Sequence, residues 1–256
     1  MSFSYNDILQ IPERALLNKR LTKAFFTKHF SLNASEKKFL ANEIQKMEWL
    51  ASIKSSNVNI KAVVNEEYSF EELQIFVITL PDNTIEKQGK RAIEFVQKFI
   101  PYQALVIAED GFEYQMGACD KRINQADNSK RTIERYFITS VVSKLYKNDT
   151  ISAFYKAIAF SALDKSNLKT TYKSYINAIV QLQAAGLTGE FKQRSKVRSE
   201  EDMELMQQIE NKETEIIQLR NQIKQESQLN GQVQLNVAIQ GLKKEIEEIK
   251  NILSKD

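Results

Sequence analysis

The sequence predicts an α+β fold in which a mostly antiparallel sheet with flanking helices is followed by a long C-terminal α-helical coiled coil. Two observations lead to this prediction. Segments with strand alternation and segments with helical periodicity share the first part of the chain. Residues 205–253 instead repeat Leu and Ile at heptad spacing and contain no aromatic residue. We expect an α/β globular domain over 1–188, a linker over 189–200 and the coiled coil over 201–254.

The N-terminal segment is predicted to form short amphipathic turns, and the first long helix follows it. Basic residues between Arg14 and Lys28 are interleaved with Leu and Phe, a pattern typical of turns that lie on a core with their lysines outward. Ser35 is a suitable helix cap, and the spacing of the apolar residues after it predicts a helix over 35–50. The apolar face of this helix consists of Phe39, Leu40, Ile44, Met47 and Leu50.

The sheet is predicted from the segments that follow. Val58 to Val64 alternates apolar and polar residues, and Leu73 to Leu80 is rich in β-branched and aromatic residues, so we expect a hairpin of two adjacent strands. The remaining predicted elements are a helix over 85–100 ended by Pro101, strands over 104–108 and 112–119 around a turn at Glu109, Asp110 and Gly111, a loop over 120–130, a strand over 133–142, and helices over 150–163 and 168–187.

Two heptad series predict the coiled coil, after a hinge at Gly186 and Gly189. The first series is Leu205, Ile209, Ile216, Leu219 and Ile223, with Lys212 interrupting it, and the second is Leu235, Ile239, Leu242, Ile246, Ile249 and Leu253. The two registers do not join, and Asn230 and Gly231 lie between them. The helix therefore either turns back as an antiparallel hairpin or continues with a stutter.

The apolar stripe formed by these heptad residues has to be covered by another helix. Apolar surface left in water costs roughly 25 cal/mol per Å². The covering helix belongs to the same chain in a hairpin, to a second copy in a homo-oligomer, or to a foreign protein in a hetero-complex. We therefore interpret the heptad residues as the candidate partner or oligomerisation surface.

Composition and charge exclude several classes of function. The chain has 36 basic and 33 acidic residues, so its net charge of +3 does not by itself drive strong nucleic-acid binding. One cysteine, Cys119, excludes an internal disulfide, and one histidine, His29, leaves too few ligands for the usual zinc site. The start MSFSYNDILQ lacks signal-peptide features, and no uncharged apolar run approaches the ~20 residues of a membrane span. We expect a cytoplasmic protein with no cofactor and no membrane association.

Motifs for catalysis are weak. A metal-dependent nuclease needs clustered acidic side chains with a lysine nearby, but residues 73–80 contain no acid and lysine two positions apart. The acidic residues before this segment are Glu66, Glu67, Glu71 and Glu72, which we interpret as a solvated loop, with a degenerate nuclease as the alternative. Cys119 is interpreted as a small buried side chain rather than a thiolate activated by His29. No glycine motif for phosphate binding occurs.

Two clusters of cations are candidates for phosphate contacts. The first, which we name the basic patch, consists of Arg14, Lys19, Arg20, Lys23 and Lys28. The second, which we name the hinge cations, consists of Lys192, Arg194, Lys196 and Arg198. Clustered cations on one face suffice for contacts that position a protein on DNA. A solvated helix face and a charged linker are the alternative interpretations.

Four segments of the chain carry a resemblance to a known family. They are IPERALLNKRLTK (11–23), EELQIFVITL (71–80), FIPYQALVIAEDGFEYQMG (99–117) and KQESQLNGQVQLNVAIQGLKKEIEEI (224–249). They resemble a bacterial family of unknown function that is often encoded beside restriction-type helicases, DNA methyltransferases and other anti-phage genes. The resemblance covers nearly the whole chain and implies a role in a DNA-targeting defence or restriction complex. It implies no catalytic residues.

These observations favour a non-catalytic accessory subunit of a DNA-targeting restriction or anti-phage defence complex. Such a subunit acts through protein–protein interaction, with a helicase, nuclease or methyltransferase subunit as its partner. A homo-oligomer formed through the coiled coil is left open. A DNA-binding module that uses the basic patch and a degenerate metal-dependent nuclease are the alternative functions.

Overall fold

The computed structural model describes residues 3–127 and 130–255, without the side chain of Lys196. Residues 1–2 of the predicted globular domain and residues 128–129 of the predicted loop lie outside the described residues. The chain divides into two compact units between Leu182 and Gln183. We name the part before this boundary the sheet unit and the part after it the hairpin unit.

Strands and helices are interspersed along the sheet unit, and long helices follow. In chain order, the strands are β1 (Leu16–Leu21), β2 (Lys46–Lys54), β3 (Val63–Val64), β4 (Ser69–Phe70), β5 (Glu72–Thr79), β6 (Gln103–Glu109), β7 (Glu113–Ile123), β8 (Arg131–Ile138) and β9 (Val142–Ser143). The α-helices are α1 (Tyr5–Leu9), α2 (Lys23–His29), α3 (Ala34–Asn42), α4 (Ser55–Val58), α5 (Ile85–Phe99), α6 (Asp149–Ile158), α7 (Leu168–Thr188), α8 (Lys196–Gln225) and α9 (Leu229–Ser254). Short 3-10 turns lie at Glu13–Ala15 and Phe160–Ala162. The α+β prediction is confirmed.

A mixed sheet forms the centre of the sheet unit. Its strand order is β1-β2-β5-β6-β7-β8, and β9 also pairs with β7. Strands β5 and β6 are parallel, and the other neighbours are antiparallel. A parallel pair requires a crossover connection, which α5 supplies. Strands β3 and β4 form a separate two-stranded ribbon.

Helix α5 covers the core on one face of the sheet. Its apolar side chains recur on one side, and Ala92, Ile93 and Val96 lie in one buried cluster with Phe76 of β5 and Val106 of β6. The predicted helix over 85–100 is confirmed, and it stops just before the proline that follows it, because a proline ring disfavours helical backbone in the residue before it.

Helix α7 completes the ladder between β6 and β7. The paired residues of these strands end at Val106 and Gly117. Beyond this pair, the Tyr172 hydroxyl shares its one proton between the carbonyl oxygens of Ala104 and Cys119, which lie 3.1 and 2.9 Å away, and accepts from the Cys119 N–H at 3.0 Å. One tyrosine therefore satisfies main-chain groups that the strands leave unpaired, as buried backbone requires.

The start of α3 differs from the prediction. The Asn33 side chain accepts from the Glu36 N–H at 2.9 Å, and the Glu36 carboxylate accepts from the Asn33 N–H at 2.8 Å. This reciprocal capping box fixes the first turn of the helix. Asn33, and not Ser35, is therefore the cap.

The predicted helix over 35–50 is wrong in its second half. Helix α3 ends at Asn42, and strand β2 begins at Lys46. Met47 and Leu50 satisfy helical spacing from the residues before them, but residues 50–53 are buried in succession, a pattern that suits a central strand covered on both faces. Pairing with β1 and β5 decides between the two patterns, because β2 then lies between two neighbours.

The predicted strand over 58–64 is also wrong, apart from its last two residues. Helix α4 occupies its beginning, and the Asn57 side chain holds this turn by accepting from the Lys54 N–H at 2.9 Å and donating to the Ser52 carbonyl at 2.8 Å. Asn59 follows in the left-handed region at φ 56°, which asparagine tolerates. Strand β5 therefore pairs with β2, and the predicted hairpin does not form.

The N-terminal segment contains a sheet strand where amphipathic turns were predicted. Strand β1 pairs antiparallel with β2, and its register shifts between Leu16 and Lys19. Asn18 lies inside this bulge at φ 48°. Within the described residues β1 pairs with β2 alone, so its other side is an edge of the sheet.

The other predicted strands and helices are confirmed with shifted ends. Strand β7 extends to Ile123, into the predicted loop, and the predicted strand over 133–142 is divided between β8 and β9. Helix α6 ends at Ile158, and a 3-10 turn follows it. Within residues 3–127 and 130–255, no helix combines the length and the apolar character that a membrane span needs.

Candidate functional site

The structure distributes the basic patch over three neighbouring segments of the chain. Arg14 lies in the 3-10 turn before β1, Lys19 and Arg20 lie on β1, and Lys23 and Lys28 lie on α2. Lys23 is half-buried, and its Nζ donates to a main-chain carbonyl of α3 at 2.7 Å. The other four side chains are exposed and form no ion pair within the described part of the chain. Four of the five patch cations therefore face solvent.

The cations on β1 also have a structural use. An edge strand presents unpaired main-chain groups that attract strands of other molecules, and charged side chains on the edge discourage such pairing. Lys19 and Arg20 lie on this edge. Their exposure is thus compatible with both interpretations of the patch, protection of the sheet and contact with phosphates.

A polar cleft lies beside β1, and sequence reasoning missed it. The cleft has a volume of about 350 Å³ and is lined by Phe3, Ser4, Tyr5, Asn6, Leu16, Asn18, Lys46, Glu48, Leu50, Val77, Thr79 and Glu109. Its polar floor follows from strand register, because Lys46, Thr79 and Glu109 are paired across β2, β5 and β6. Side chains paired in this way share one face of a sheet.

Glu109 is the most heavily bonded group in the cleft. Its carboxylate accepts from the Tyr5 hydroxyl at 2.7 Å, from Lys144 Nζ at 2.7 Å and from the Thr79 hydroxyl at 3.1 Å. Burial, together with this carboxylate, raises the pKa of Tyr5 well above its ordinary value. These bonds tie the N-terminal segment to the sheet, and they leave Glu109 with little capacity to bind a ligand.

The acidic residues weighed as nuclease ligands do not converge. Glu66, Glu67 and Glu71 are exposed, on the segment that joins β3 to β5 through β4. Glu72 begins β5, where it forms an ion pair with Lys54 at 2.8 Å and accepts from the Gln74 side chain at 2.6 Å. Among the described residues, no three His, Cys, Asp or Glu side chains form a group that could hold a metal ion.

Cys119 and His29 have different surroundings. Cys119 is fully buried on β7, and its thiol donates to the Gln97 side-chain oxygen at 3.2 Å. Burial raises the pKa of the Cys119 thiol to about 11. His29 is exposed at the end of α2, with its ring 4.7 Å from that of Phe25. Cys119 thus has the buried, protonated character expected of a structural cysteine.

The hinge cations bind the C-terminal end of α9. Lys192 Nζ donates to the carbonyl of Ser254 at 3.1 Å, while the Arg194 and Arg198 guanidinium groups donate to the carbonyls of Leu253 and Ile252, each at 2.8 Å. The last carbonyl groups of a helix have no partner within the helix, and cations placed there are stabilised by the negative end of the helix dipole. We name this arrangement the clasp. Lys196 cannot be assigned to it, because its side chain lies outside the described residues.

Asp202 orients the two arginines of the clasp. It lies at the end of the second turn of α8 and forms ion pairs with Arg194 at 3.6 Å and Arg198 at 3.2 Å. Its side chain is 2% exposed, and this burial raises its pKa, against the opposite effect of the two guanidinium groups. The charged residues of the hinge therefore close the hairpin unit on itself.

The predicted heptad residues, apart from Leu235, form the core of the hairpin unit. Helices α8 and α9 run antiparallel, because the clasp joins the start of α8 to the end of α9 and a short connection joins their other ends. The buried members of this core, which we name the seam, are Ile209, Ile216, Ile239, Ile246, Ile249 and Leu253, and the partly buried ones are Leu205, Leu219, Ile223 and Leu242. Leu187 and Met206 also pack against it.

Two positions of the predicted heptad series lie outside the seam. Lys212, which interrupts the first heptad series, is half-buried and forms an ion pair with Glu245 of α9. Leu235 is half-buried near the connection between the helices, where it borders an open groove with Gln222 and Gly231. Lys212 is accommodated between the helices because it forms an ion pair with Glu245. Leu235 is packed less tightly because it lies near the end of the hairpin.

Helix α9 also carries apolar side chains on its outer side. Leu229, Val233 and Val237 are 74%, 53% and 66% exposed. They recur every four residues and continue to the exposed Gly241. We name these four positions the outer row. Sequence reasoning missed the row because it falls outside both heptad series, although its four-residue spacing is visible in the sequence.

Comparison with known proteins identifies a family. No curated protein and no solved structure matches the chain significantly. The model of the family described as Domain of unknown function (DUF4391) matches residues 9–246, which include the basic patch, the whole sheet and most of the seam. The chain belongs to the DUF4391 family.

Proposed function

We propose that this chain is a non-catalytic accessory subunit of a DNA-targeting restriction or anti-phage defence complex in the cytoplasm. It acts by binding protein partners, and a helicase, nuclease or methyltransferase subunit is the partner that we propose. The resemblance of the four segments quoted above supports the setting. The hairpin unit supports the mode of action, and it is the observation that carries the proposal.

The hairpin unit has the form of an assembly element. Its helices contain 30 and 26 residues, so they extend about 45 and 39 Å at roughly 1.5 Å per residue. We propose that their heptad spacing makes them an antiparallel two-stranded coiled coil. The helices bury the seam on one another, so their outer surfaces are left for other molecules. Long helical surfaces of this kind are read by partner proteins through side chains spaced three and four residues apart.

Affinity purification of the tagged full-length chain from its native bacterium tests the proposal. We expect a helicase, nuclease or methyltransferase subunit to purify with it in a fixed ratio. The substitution Ile246→Asp should remove this partner, because a charge in the seam opens the hairpin. Fluorescence of the single tryptophan, Trp49 in the sheet unit, reports whether the rest of the chain stays folded.

Two results would contradict the proposed function. One is that no DNA-modifying, unwinding or cleaving enzyme purifies with the chain, and the other is that the purified chain cleaves DNA by itself. If Ile246→Asp retains the same partner in full, the subunit role survives but the hairpin is not the surface that makes the contact.

A DNA-binding module is the second candidate function, because four cations of the basic patch are exposed and form no ion pair among the described residues. The double substitution Lys19→Ala and Arg20→Ala should weaken binding to duplex DNA and reduce its dependence on salt. Each lost phosphate contact lowers the slope of log affinity against log salt by about 0.9. The exposed residues Lys37 and Lys38 of α3 supply a matched control pair. Absence of binding at low salt, or equal effects of the two double variants, would contradict a specific DNA surface.

A further inference from the structure

We infer that the outer row of α9 is a self-association surface, through which a second copy of this chain packs antiparallel on the same row. Leu229 of one copy lies against Gly241 of the other, and Val233 lies against Val237. The inference deepens the assembly role proposed for the hairpin unit and rests on it. It concerns a face of α9 different from the seam.

The outer row lies opposite the seam on the surface of α9. Successive residues of a helix are rotated by about 100°, so positions four apart advance by about 40° and form a ridge along one side. All four row positions are exposed, whereas Ile239 and Ile246 are buried against α8. Packing within the hairpin therefore covers one side of α9 and leaves the row uncovered.

Side-chain sizes along the outer row are complementary when a second row runs antiparallel to it. A two-fold axis at the level of residue 235 relates position 229 to 241 and position 233 to 237. The largest side chain, Leu229, then meets the position that has no side chain, Gly241, and the valines meet each other. A Cβ atom built at Gly241 would find nothing within 4 Å in the chain, so this position is open to a neighbour. A foreign helix needs no such symmetry, whereas a second copy does.

The charge pattern also favours a second copy. Residues 227–242 contain no charged residue, so pairing of two rows desolvates no ion. Lys244 continues the same side of α9 beyond Gly241, and the two-fold relation places it beyond the first residue of the other copy's α9, next to the connection that contains Glu226. The uncharged stretch of each copy thus ends near a charge of opposite sign on the other copy.

The geometry predicts a weak contact. Ridges of side chains spaced four apart interlock when helix axes cross at about −50°, with roughly 8–10 Å between them. The row extends over about 18 Å of helix, at roughly 1.5 Å per residue, so it buries much less than the roughly 800 Å² per partner of a stable interface. We expect a dissociation constant of roughly tens of micromolar or weaker, lowered where a larger assembly holds two copies together.

Sedimentation equilibrium of the full-length chain from about 5 to 500 µM, a range that brackets this affinity, measures the association. The mass should rise with concentration from 29.6 kDa towards twice that value. Val237→Glu should keep the chain monomeric, because it brings a charge into an uncharged contact. Val197→Glu is the matched control, since Val197 is also a valine of a hairpin helix and is 68% exposed, but lies outside the row.

A size exchange tests the register. Gly241→Leu should abolish the dimer without unfolding the helix, because leucine is a better helix former than glycine. Adding Leu229→Ala to Gly241→Leu should restore association, since the large and small positions have then been exchanged on both copies. Circular dichroism of each variant confirms that the hairpin helices persist.

Three outcomes would overturn the inference. They are a mass that stays monomeric over the whole range, a rise in mass that Val237→Glu leaves unchanged, and failure of the exchanged double variant to recover while its helices persist. The proposed function fails separately. If the wild-type chain dimerises but no DNA-acting enzyme purifies with it, the outer row is confirmed and the subunit role is not, and the converse result separates the two in the other direction.

Discussion

Buried positions of the sheet unit include charged and polar side chains, whereas those along the seam of the hairpin unit are aliphatic. Lys121 on β7 is fully buried, and its Nζ donates to the carbonyls of Ile100 and Tyr102 at 2.7 and 2.9 Å. In the seam, Ile209 and Ile246 are buried in a cluster with other aliphatic side chains. The sheet unit thus depends on many different contacts between its elements, while the seam of the hairpin unit repeats one type of contact between two helices.

The largest loss of stability is expected from Phe26→Ala in the sheet unit. Phe26 is fully buried in the main core, with its ring 5.4 Å from those of Phe30 and Phe95. Loss of such a side chain costs about 3–5 kcal/mol of unfolding free energy. Denaturation followed by the fluorescence of Trp49, which lies beside this core, should show the loss. Amide exchange in α9 should stay slow if the units are independent, and equally accelerated exchange in α9 would show that they unfold together.

Ile246→Ala should produce the reverse pattern. Ile246 is 6% exposed in the seam, and its truncation should destabilise the hairpin unit by about 2–4 kcal/mol. Amides of α8 and α9 should exchange faster, while the midpoint of the Trp49 transition stays unchanged. Ile217→Ala supplies the control, because Ile217 is a mostly exposed residue of the same unit. Equal effects of the two substitutions would refute the assigned seam.

A tyrosine pair sharpens the comparison within the sheet unit. Tyr172→Phe should cost about 1–3 kcal/mol, because the Cys119 N–H and two carbonyls lose a buried partner. Tyr175→Phe should be neutral or stabilising, since the buried Tyr175 hydroxyl has no hydrogen-bond partner among the described residues. Urea denaturation of both variants measures the difference. Equal losses would show that ring packing rather than the Tyr172 hydroxyl holds the β6–β7 ladder.

The smallest expected effect is a dependence of stability on pH. Burial lowers the pKa of Lys121 to about 8, below its ordinary value of 10.5, although its two carbonyl partners favour the charged form. Above pH 8 the unfolded chain therefore holds more protons at this residue, so stability should rise by about 1 kcal/mol between pH 8 and 9.

The upper limit of this pH window comes from Cys119. The pKa of its thiol is raised from 9.0 to about 11, so above pH 9 the unfolded chain loses this proton first and the gain from Lys121 is offset. Lys121→Met should remove the rise between pH 8 and 9, whatever its effect on overall stability. Denaturation midpoints at pH 8.0, 8.5 and 9.0, buffer values chosen to span this window, measure the slope, and an unchanged slope in the variant would assign it to another group.

Local patterns in the sequence predict those elements whose periodicity has a single interpretation. Helix α5 has one apolar face and a proline after it, and the seam follows from heptads. Met47 illustrates the limit, because it continues the helical spacing of the residues before it, and its place in a strand depends on pairing with Ile78 of β5, which is distant in the sequence. Such pairings carry no local signal, so the order of the strands could not be predicted.

The candidate sites, too, could be predicted only where their signal is local in the sequence. The seam was predicted, but the cleft was not, because Thr79 and Glu109 meet only through the parallel pairing of β5 and β6. The hinge cations were visible as charges, but their carbonyl partners lie more than 50 residues further along the chain. The outer row was visible as spacing, and only the burial of the opposite face showed that it is left uncovered.

The clasp also has a consequence for synthesis of the protein. Arg194 and Leu253 are 59 residues apart, so a ribosome adding roughly 5–20 residues per second needs about 3–12 s to produce the second after the first. During that interval α8 emerges with its half of the seam unmatched. Nascent chains that stall before α9 would therefore expose the apolar side chains of α8, the kind of surface that chaperones bind.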